Sequence, residues 1–347
     1  MAAIKLADLR LTIPGCGYRA RMQFGAFVPQ GWRLDLAGID TEDHWNTMTS
    51  VAQRIESLGY DSLWVYDHFH TVPAPIQEVT YEAWTLMAAL AAVTDTVRLG
   101  QMCTCNSYRP PSYLAKVAAS IDVISGGRVE MGIGAGWYEH EYDAYGYEFP
   151  KPSVRIGMLR EGVEIMQRMW TEDEVHYEGK YYNLKGAICR PRPLQDPHIP
   201  FWVAGGGEKL TLNVAARYAA YTNFGIDFES FVHKSEILRG HCEDVGTDFD
   251  SIIRSTNFNV FCAESEAEVE DRISWYKDHL RKYLSEEKVE RQAKLYEAMS
   301  GTPEQIVARL KDWESAGMTY FIGYFPDPAY DTTSLDLFAK TVIPAFS

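Results

Sequence analysis

Apolar positions along the chain switch repeatedly between the period of a strand and the period of a helix. Gln23–Val28 (QFGAFV) predicts strand one. From Asp43 to Leu58, the residues Trp45, Met48, Val51, Ile55 and Leu58 fall at helical spacing, and Gly59 is the stop. Ser62–Tyr66 predicts strand two, and Thr80 is the expected cap of a helix carrying Trp84 and Met87. Val97–Met102 is strand three. Pro111 opens the next helix, with Leu114, Val117, Ile121 and Ile124 on its apolar face and Gly126-Gly127 at its end. Val129–Ile133 is strand four, followed by a helix from about Val154 to Met169.

The second half repeats the pattern less cleanly. Glu172 to His198 is rich in Tyr, Gly and Pro and reads as an insertion with a small hairpin, its Arg190-Pro191-Arg192-Pro193 run forming an extended strap. Ile199–Val203, Ala219–Asn223 and Ile252–Cys262 are strands five, six and seven. A charged helical stretch, Glu266 to Met299, follows as an excursion. Thr302-Pro303-Glu304-Gln305 combines a cap, a proline at the first helical position and a capping-box glutamine. Gly317 ends that helix, and Thr319–Tyr324 is strand eight.

Eight strands alternating with helices predict an α/β fold: a (β/α)8 TIM barrel with an insertion before strand five and a helical excursion between strands seven and eight. A doubly wound open sheet would place GxGxxG after strand one, and Phe24 to Gln30 holds nothing of the kind. The expected organisation is one barrel domain over residues 22–347. Residues 1–21, with the turn-like Pro14-Gly15-Cys16-Gly17, are expected as an extension outside it.

Composition narrows the partners. With 46% hydrophobic and 23% charged residues in 347, the chain can bury a large core. A net charge of −15 repels phosphate backbones and anionic headgroups, so neither nucleic acid nor membrane is expected as a partner. The longest clean apolar run, Leu86 to Val93, is far too short to span a bilayer. Six scattered cysteines show neither CxxC nor Cys/His ligand spacing. Reduced thiols, a cytoplasmic location and no metal site are the expectation.

Barrel enzymes carry their chemistry on the loops after the strands. After strand two, Asp67-His68 places an imidazole beside a carboxylate, a pairing suited to proton transfer near neutral pH. After strand three, Gln101 to Pro110 is on spacing alone a polar loop stopped by proline. After strand four, Gly132, Gly134 and Gly136 make a GxGxG run, short of the dinucleotide fingerprint. The charges of Tyr138-Glu139-His140-Glu141-Tyr142 read as a solvated face. After strand five, Ala204-Gly205-Gly206-Gly207-Glu208 is expected to run straight into a helix. Three glycines there make a nest of N–H groups suited to a phosphate, the strongest local signal in the chain.

Taken in order, four blocks resemble the bacterial-luciferase-like monooxygenase superfamily and, within it, the coenzyme F420-dependent oxidoreductases. They are Ser62–Phe69, Cys105–Pro110, Ser125–Arg128 leading into Gly134–Tyr138, and Phe201–Gly207. The resemblance runs from about Gln23 to the C-terminus. It implies a homodimeric barrel with the cofactor ring across its mouth. A non-prolyl cis peptide at Met102–Cys103 would back the ring, with Thr104 and Asn106 beside it. Ala204, Gly205, Gly206, Gly207 and Asn223 would hold the cofactor phosphate, and His140 would hydrogen-bond the ring. Asp67 and His68 match the usual acid/base pair, Asp67 orienting His68 and also touching cofactor. Trp137, Tyr138 and Tyr108 would line an aromatic-tolerant pocket for a small-molecule substrate.

Two departures stand out. The sugar-phosphate dehydrogenase branch has a catalytic Glu where this chain has Trp137, which argues against glucose-6-phosphate chemistry. Relatives often read Ala-Asp-Gly-Trp-Asn at strand six, and this chain reads Ala219-Ala220-Tyr221-Thr222-Asn223. The expected activity is hydride transfer between F420 and a small organic substrate. An FMN-dependent monooxygenase and a non-catalytic flavin-binding protein are the alternatives.

Overall fold

The computed structural model describes residues 21–225 and 227–346. The expected extension, apart from Arg21, lies outside the described residues. Among the described residues, eleven strands form in chain order: β1 Gln23–Phe27, β2 Ser62–Val65, β3 Arg98–Gln101, β4 Thr104–Cys105, β5 Val129–Gly134, β6 Val175–Glu178, β7 Asn183–Ala187, β8 Phe201–Ala204, β9 Tyr221–Asn223, β10 Ile253–Asn259 and β11 Met318–Tyr324. Eight of them close into a parallel ring, β1-β2-β3-β5-β8-β9-β10-β11 and back to β1. The fold is a (β/α)8 barrel. β6 and β7 pair antiparallel as the hairpin expected within the insertion.

The helices are α1 His44–Ser57, α2 Ala83–Val93, α3 Pro111–Ser125, α4 Glu139–Tyr145, α5 Pro152–Thr171, α6 Thr211–Tyr218, α7 Phe228–Val245, α8 Glu266–Arg281, α9 Glu286–Ala293, α10 Pro303–Ser315 and α11 Thr333–Thr341. α8 and α9 make up the excursion between β10 and β11. The capping box at Thr302 and Gln305 is formed. The cap of α2 is not Thr80. The Glu82 carboxylate accepts the N–H groups of Trp84 and Thr85 and takes that role. β10 stops at Asn259, short of the expected Cys262. The chain leaves the ring there, with the Val260 N–H still on Tyr324 O and Cys262 bridging to Gly301.

The barrel interior is aromatic. The Trp64 indole fills it so closely that a Cβ at Gly25 would lie 2.4 Å from its ring nitrogen and one at Gly100 would lie 2.3 Å from its far edge. Both flanking strands therefore need glycine opposite this side chain. Trp64 packs edge-on to Trp202, and the Trp202 N–H donates to Glu130, which also pairs with Arg98. This packed floor leaves the C-terminal mouth as the place for a ligand. Among the described residues, no helix is long and apolar enough to cross a membrane.

Candidate active site

A cavity of ≈ 480 Å³ opens where the strands end. Of the residues expected in the site, Asp67, His68, Met102, Cys103, Tyr108, Trp137, Tyr138, Ala204, Gly205 and Asn223 line it. Thr104, Asn106, His140, Gly206 and Gly207 do not.

The step after β3 forms one wall. Met102–Cys103 is a non-prolyl cis peptide, as expected. The Met102 N–H donates to Val65 O, and the wall lies so close to β5 that a Cβ at Gly134 would meet Cys103 Sγ at 2.7 Å. Burial pushes the thiols of Cys103 and Cys105 up to about 12, so both stay neutral and neither is a nucleophile at pH 7. Thr104 is fully buried and donates to Gln101 Oε1 beneath the wall. Asn106, also fully buried, donates to the Tyr182 hydroxyl and packs on Gly162, tying the loop to the insertion. The expectation that these two face a cofactor is corrected: their side chains build the wall from behind.

The Asp67-His68 pair is also rearranged. Asp67 makes no hydrogen bond to His68. Its carboxylate takes both arms of Arg109, at 2.7 and 2.9 Å, and the Cys105 N–H at 2.9 Å. His68 is oriented instead by Glu141, whose Oε2 lies 2.8 Å from Nδ1 and accepts the Tyr108 hydroxyl at 2.7 Å. The other oxygen accepts the N–H groups of Phe69 and His70. Burial works to raise the Glu141 carboxyl, but the hydrogen bond and charge of His68, the His70 N–H and Tyr108 outweigh it and hold it below its ordinary value. An ionised carboxylate only accepts, so Nδ1 carries the proton and Nε2 is the nitrogen left for the cavity. Trp32 stacks on the imidazole at 4.2 Å with an interplanar angle of 1°, and Trp137 and Tyr138 meet it edge-on.

Glu141 was not among the expected site residues: Glu139 and His140 are exposed, as a solvated face predicts, but Glu141 turns inward. It sits on α4 with no solvent exposure. Trp32 was also missed. Its place just after strand one, on the functional face of the barrel, was the available signal. Tyr108 lines the cavity, but its hydroxyl is committed to Glu141.

At the opposite end, Gly205 has φ +114°, a left-handed conformation that glycine permits. The helix does not follow directly. A turn over 208–210 intervenes, α6 starts at Thr211, and that threonine joins Gly205 and Asn223 in the cavity lining. Gly206 and Gly207 do not line the cavity, and the Lys234 side chain from α7 lies against Gly206, 2.5 Å from where a Cβ would be. His140 is exposed and pairs with His70, its Nε2 2.8 Å from His70 Nδ1, outside the cavity. Arg190 and Arg192 of the strap both pair with Asp173, just after α5, and none of the three lines the cavity. Among the described residues, no group of three or more His, Cys, Asp or Glu side chains could hold a metal ion.

The family model described as luciferase-like monooxygenase matches residues 22–320. An F420-dependent glucose-6-phosphate dehydrogenase from Amycolatopsis mediterranei is 28% identical over 325 residues, covering 86% of this chain and 93% of the relative. Two solved structures share the fold at 22% identity, each covering 94% of this chain and 100% of its own. One is an F420-dependent secondary alcohol dehydrogenase in complex with an F420-acetone adduct, with a TM-score of 0.74. The other is the monooxygenase RslO1 from Streptomyces bottropensis, with a TM-score of 0.76.

Proposed function

The chain belongs to the luciferase-like monooxygenase family, and from that premise we propose that it is an oxidoreductase moving a hydride between coenzyme F420 and a small organic substrate. The cavity suits a flat, phosphate-bearing cofactor. Its volume lies in the range of cofactor sites, and a side chain at Gly134 would press on Cys103 at its wall. Met102 and Cys103 would back the ring, while Ala204, Gly205, Thr211 and Asn223 would hold the phosphate end. When bound, the deazaflavin supplies the two-electron centre.

The chain itself handles the proton. The observation that carries this reading is His68: its Nδ1 is fixed on an ionised, buried Glu141, its face is covered by Trp32, and it lines the cavity beside Met102–Cys103. His68 Nε2 is the proton donor or acceptor, and Glu141 is its positioning residue. Asp67 is a structural anchor of the wall. The sugar phosphate in the relatives' names is not carried over, because the Trp137 indole cannot act as a base. Residues 1–21 are taken as an extension, since β1 and the family match both begin just after them. Cytoplasmic location and homodimeric assembly complete the reading; the five described cysteines are free thiols.

A titration with F420 and with FMN tests the cofactor. Saturating F420 at 100 times its Kd should add about 2.7 kcal/mol of stability and raise Tm. Tight FMN binding with no response to F420 would overturn the assignment.

A further inference from the structure

A second cavity of ≈ 290 Å³ adjoins the first and shares Trp32, Tyr66, Trp137 and Asn257 with it. Its other walls include Arg33, Asn259 and Gln292. The Arg33 guanidinium lies 4.2 Å over the Tyr324 ring and donates to Asn259 Oδ1 at 2.6 Å. It forms no salt bridge among the described residues. The carboxylate two positions on, Asp35, is taken by the N–H groups of Gln30 and Gly31 and by the Tyr324 hydroxyl. Gln292, on α9 of the excursion, is only 9% exposed, and its carboxamide has no hydrogen-bond partner among the described residues. Asn257 accepts from Asn223 through its oxygen, which leaves its NH2 group free to donate.

A fixed guanidinium with no salt bridge among the described residues, next to a carboxamide that makes no hydrogen bond there, leaves polar groups on this wall for a ligand to use. Arg33 can only donate, the carboxamides of Asn257, Asn259 and Gln292 each offer an NH2 group, and the remaining walls are aromatic or aliphatic. We infer that this cavity is the substrate's subsite and that it selects an organic carboxylate, the anion pairing with Arg33 and Gln292 while an apolar body extends toward His68. The inference rests on the hydride-transfer reading of the adjoining cavity. A single cation fits a singly charged, planar carboxylate better than a doubly charged phosphate monoester. Arg33 stands on the loop after β1, Asn257 and Asn259 on β10, and Gln292 on the excursion, so the excursion gains a function: it closes the substrate end of the mouth.

The test uses full-length protein loaded with F420 and follows cofactor fluorescence and Tm against phenylacetate, phenylacetamide and phenyl phosphate. Phenylacetate should bind at least tenfold more tightly than the other two. Arg33→Met should weaken phenylacetate at least tenfold and Gln292→Leu several-fold, Arg33→Lys should recover part of the loss, and F420 affinity should not change. Equal binding of phenylacetate and its amide, a preference for phenyl phosphate, or an Arg33→Met protein with unchanged phenylacetate affinity would each overturn it. So would a loss of F420 affinity in Arg33→Met, which would give the site to the cofactor's own carboxylates. If Arg33→Met fails to fold, Gln292→Leu decides. Failure of the hydride-transfer reading is separate: wild-type protein would not bind F420, while phenylacetate binding to unloaded protein would still depend on Arg33.

Discussion

The Nδ1 of His68 lies 2.8 Å from Oε2 of Glu141, and the same carboxylate, through both oxygens, also collects the Tyr108 hydroxyl and two backbone N–H groups. Four donors on one buried acceptor fix the imidazole tautomer. Glu141→Gln keeps the volume but must turn an NH2 toward at least one of those donors. If its oxygen stays with Phe69 and His70, His68 loses its Nδ1 acceptor. We expect kcat to fall roughly 100-fold or more and stability to fall by about 1.5–3 kcal/mol, as for a lost charge-assisted bond. Imidazole ¹⁵N shifts should report a changed tautomer. Unaltered kcat and unaltered shifts would remove Glu141 from the mechanism.

Asp67 should behave differently. It is 1% exposed, and removing its charge leaves Arg109 with only Glu82, a half-exposed partner. It also releases the Cys105 N–H that ties β4 to the loop after β2. Asp67→Ala is expected to cost about 3–5 kcal/mol, the range for breaking a buried pair, and to weaken F420 binding by loosening the wall. Asp67→Asn should do the same more mildly. Neither should move the pH profile of kcat, whereas His68 variants should. A shifted profile in Asp67→Asn would return this carboxylate to the proton path.

These two carboxylates show where sequence reading works and where it ends. The ring was legible because each strand is a local apolar run ended by turn chemistry, and because Pro111, Gly126 and Thr302 punctuate helices through their own backbone needs. The cis step at Met102–Cys103 and the glycines around it were legible only through the resemblance. The partners of Asp67 and His68 were not legible. Arg109 is 42 residues from Asp67 and Glu141 is 73 from His68, so no local period links them. Glu141 lies in EHEYDAY, whose charges look solvated until the neighbouring loops fold over one of them. Arg33, Asn259 and Gln292 come from three distant elements, and only the closed barrel brings them together.

In the proposed reading, the Lys234 ammonium beside Gly206 is the cation that the anionic end of the cofactor would meet past Gly205, and the glycine motif did not reveal it. A Cβ at Gly206 would fall 2.5–2.9 Å from the end of its side chain, which can swing aside. Gly206→Ala should therefore fold normally, with Tm within a few degrees of wild type, yet bind F420 more weakly because the ammonium is displaced. Lys234→Ala should weaken F420 by about three- to tenfold, a loss that shrinks as salt screens the charge. Fluorescence titrations at low and high ionic strength check both. A Lys234→Ala protein with wild-type affinity at low salt would exclude the lysine from the phosphate site.

Away from the cavity, the loop after β11 carries a pH-dependent cost. Asp327 is 2% exposed, its Oδ2 accepts from Arg272 at 2.8 Å, and its Oδ1 has no partner among the described residues. Burial pushes its carboxyl up to about 7, with Arg272 only partly opposing the shift. The folded state thus keeps a proton that the unfolded state releases near 3.8. Its contribution to stability is fully present below pH 3.8 and is lost as pH rises toward 7, after which the loss is constant. Between pH 5 and 8, about two units of that window are crossed, worth about 3 kcal/mol at roughly 1.4 kcal/mol per unit. Asp327→Asn keeps the size and removes the titration. Urea unfolding should therefore show the variant gaining on wild type by up to about that amount from pH 5 to pH 8. An equal difference between the two proteins at both pH values would mean that Asp327 ionises normally in the folded chain.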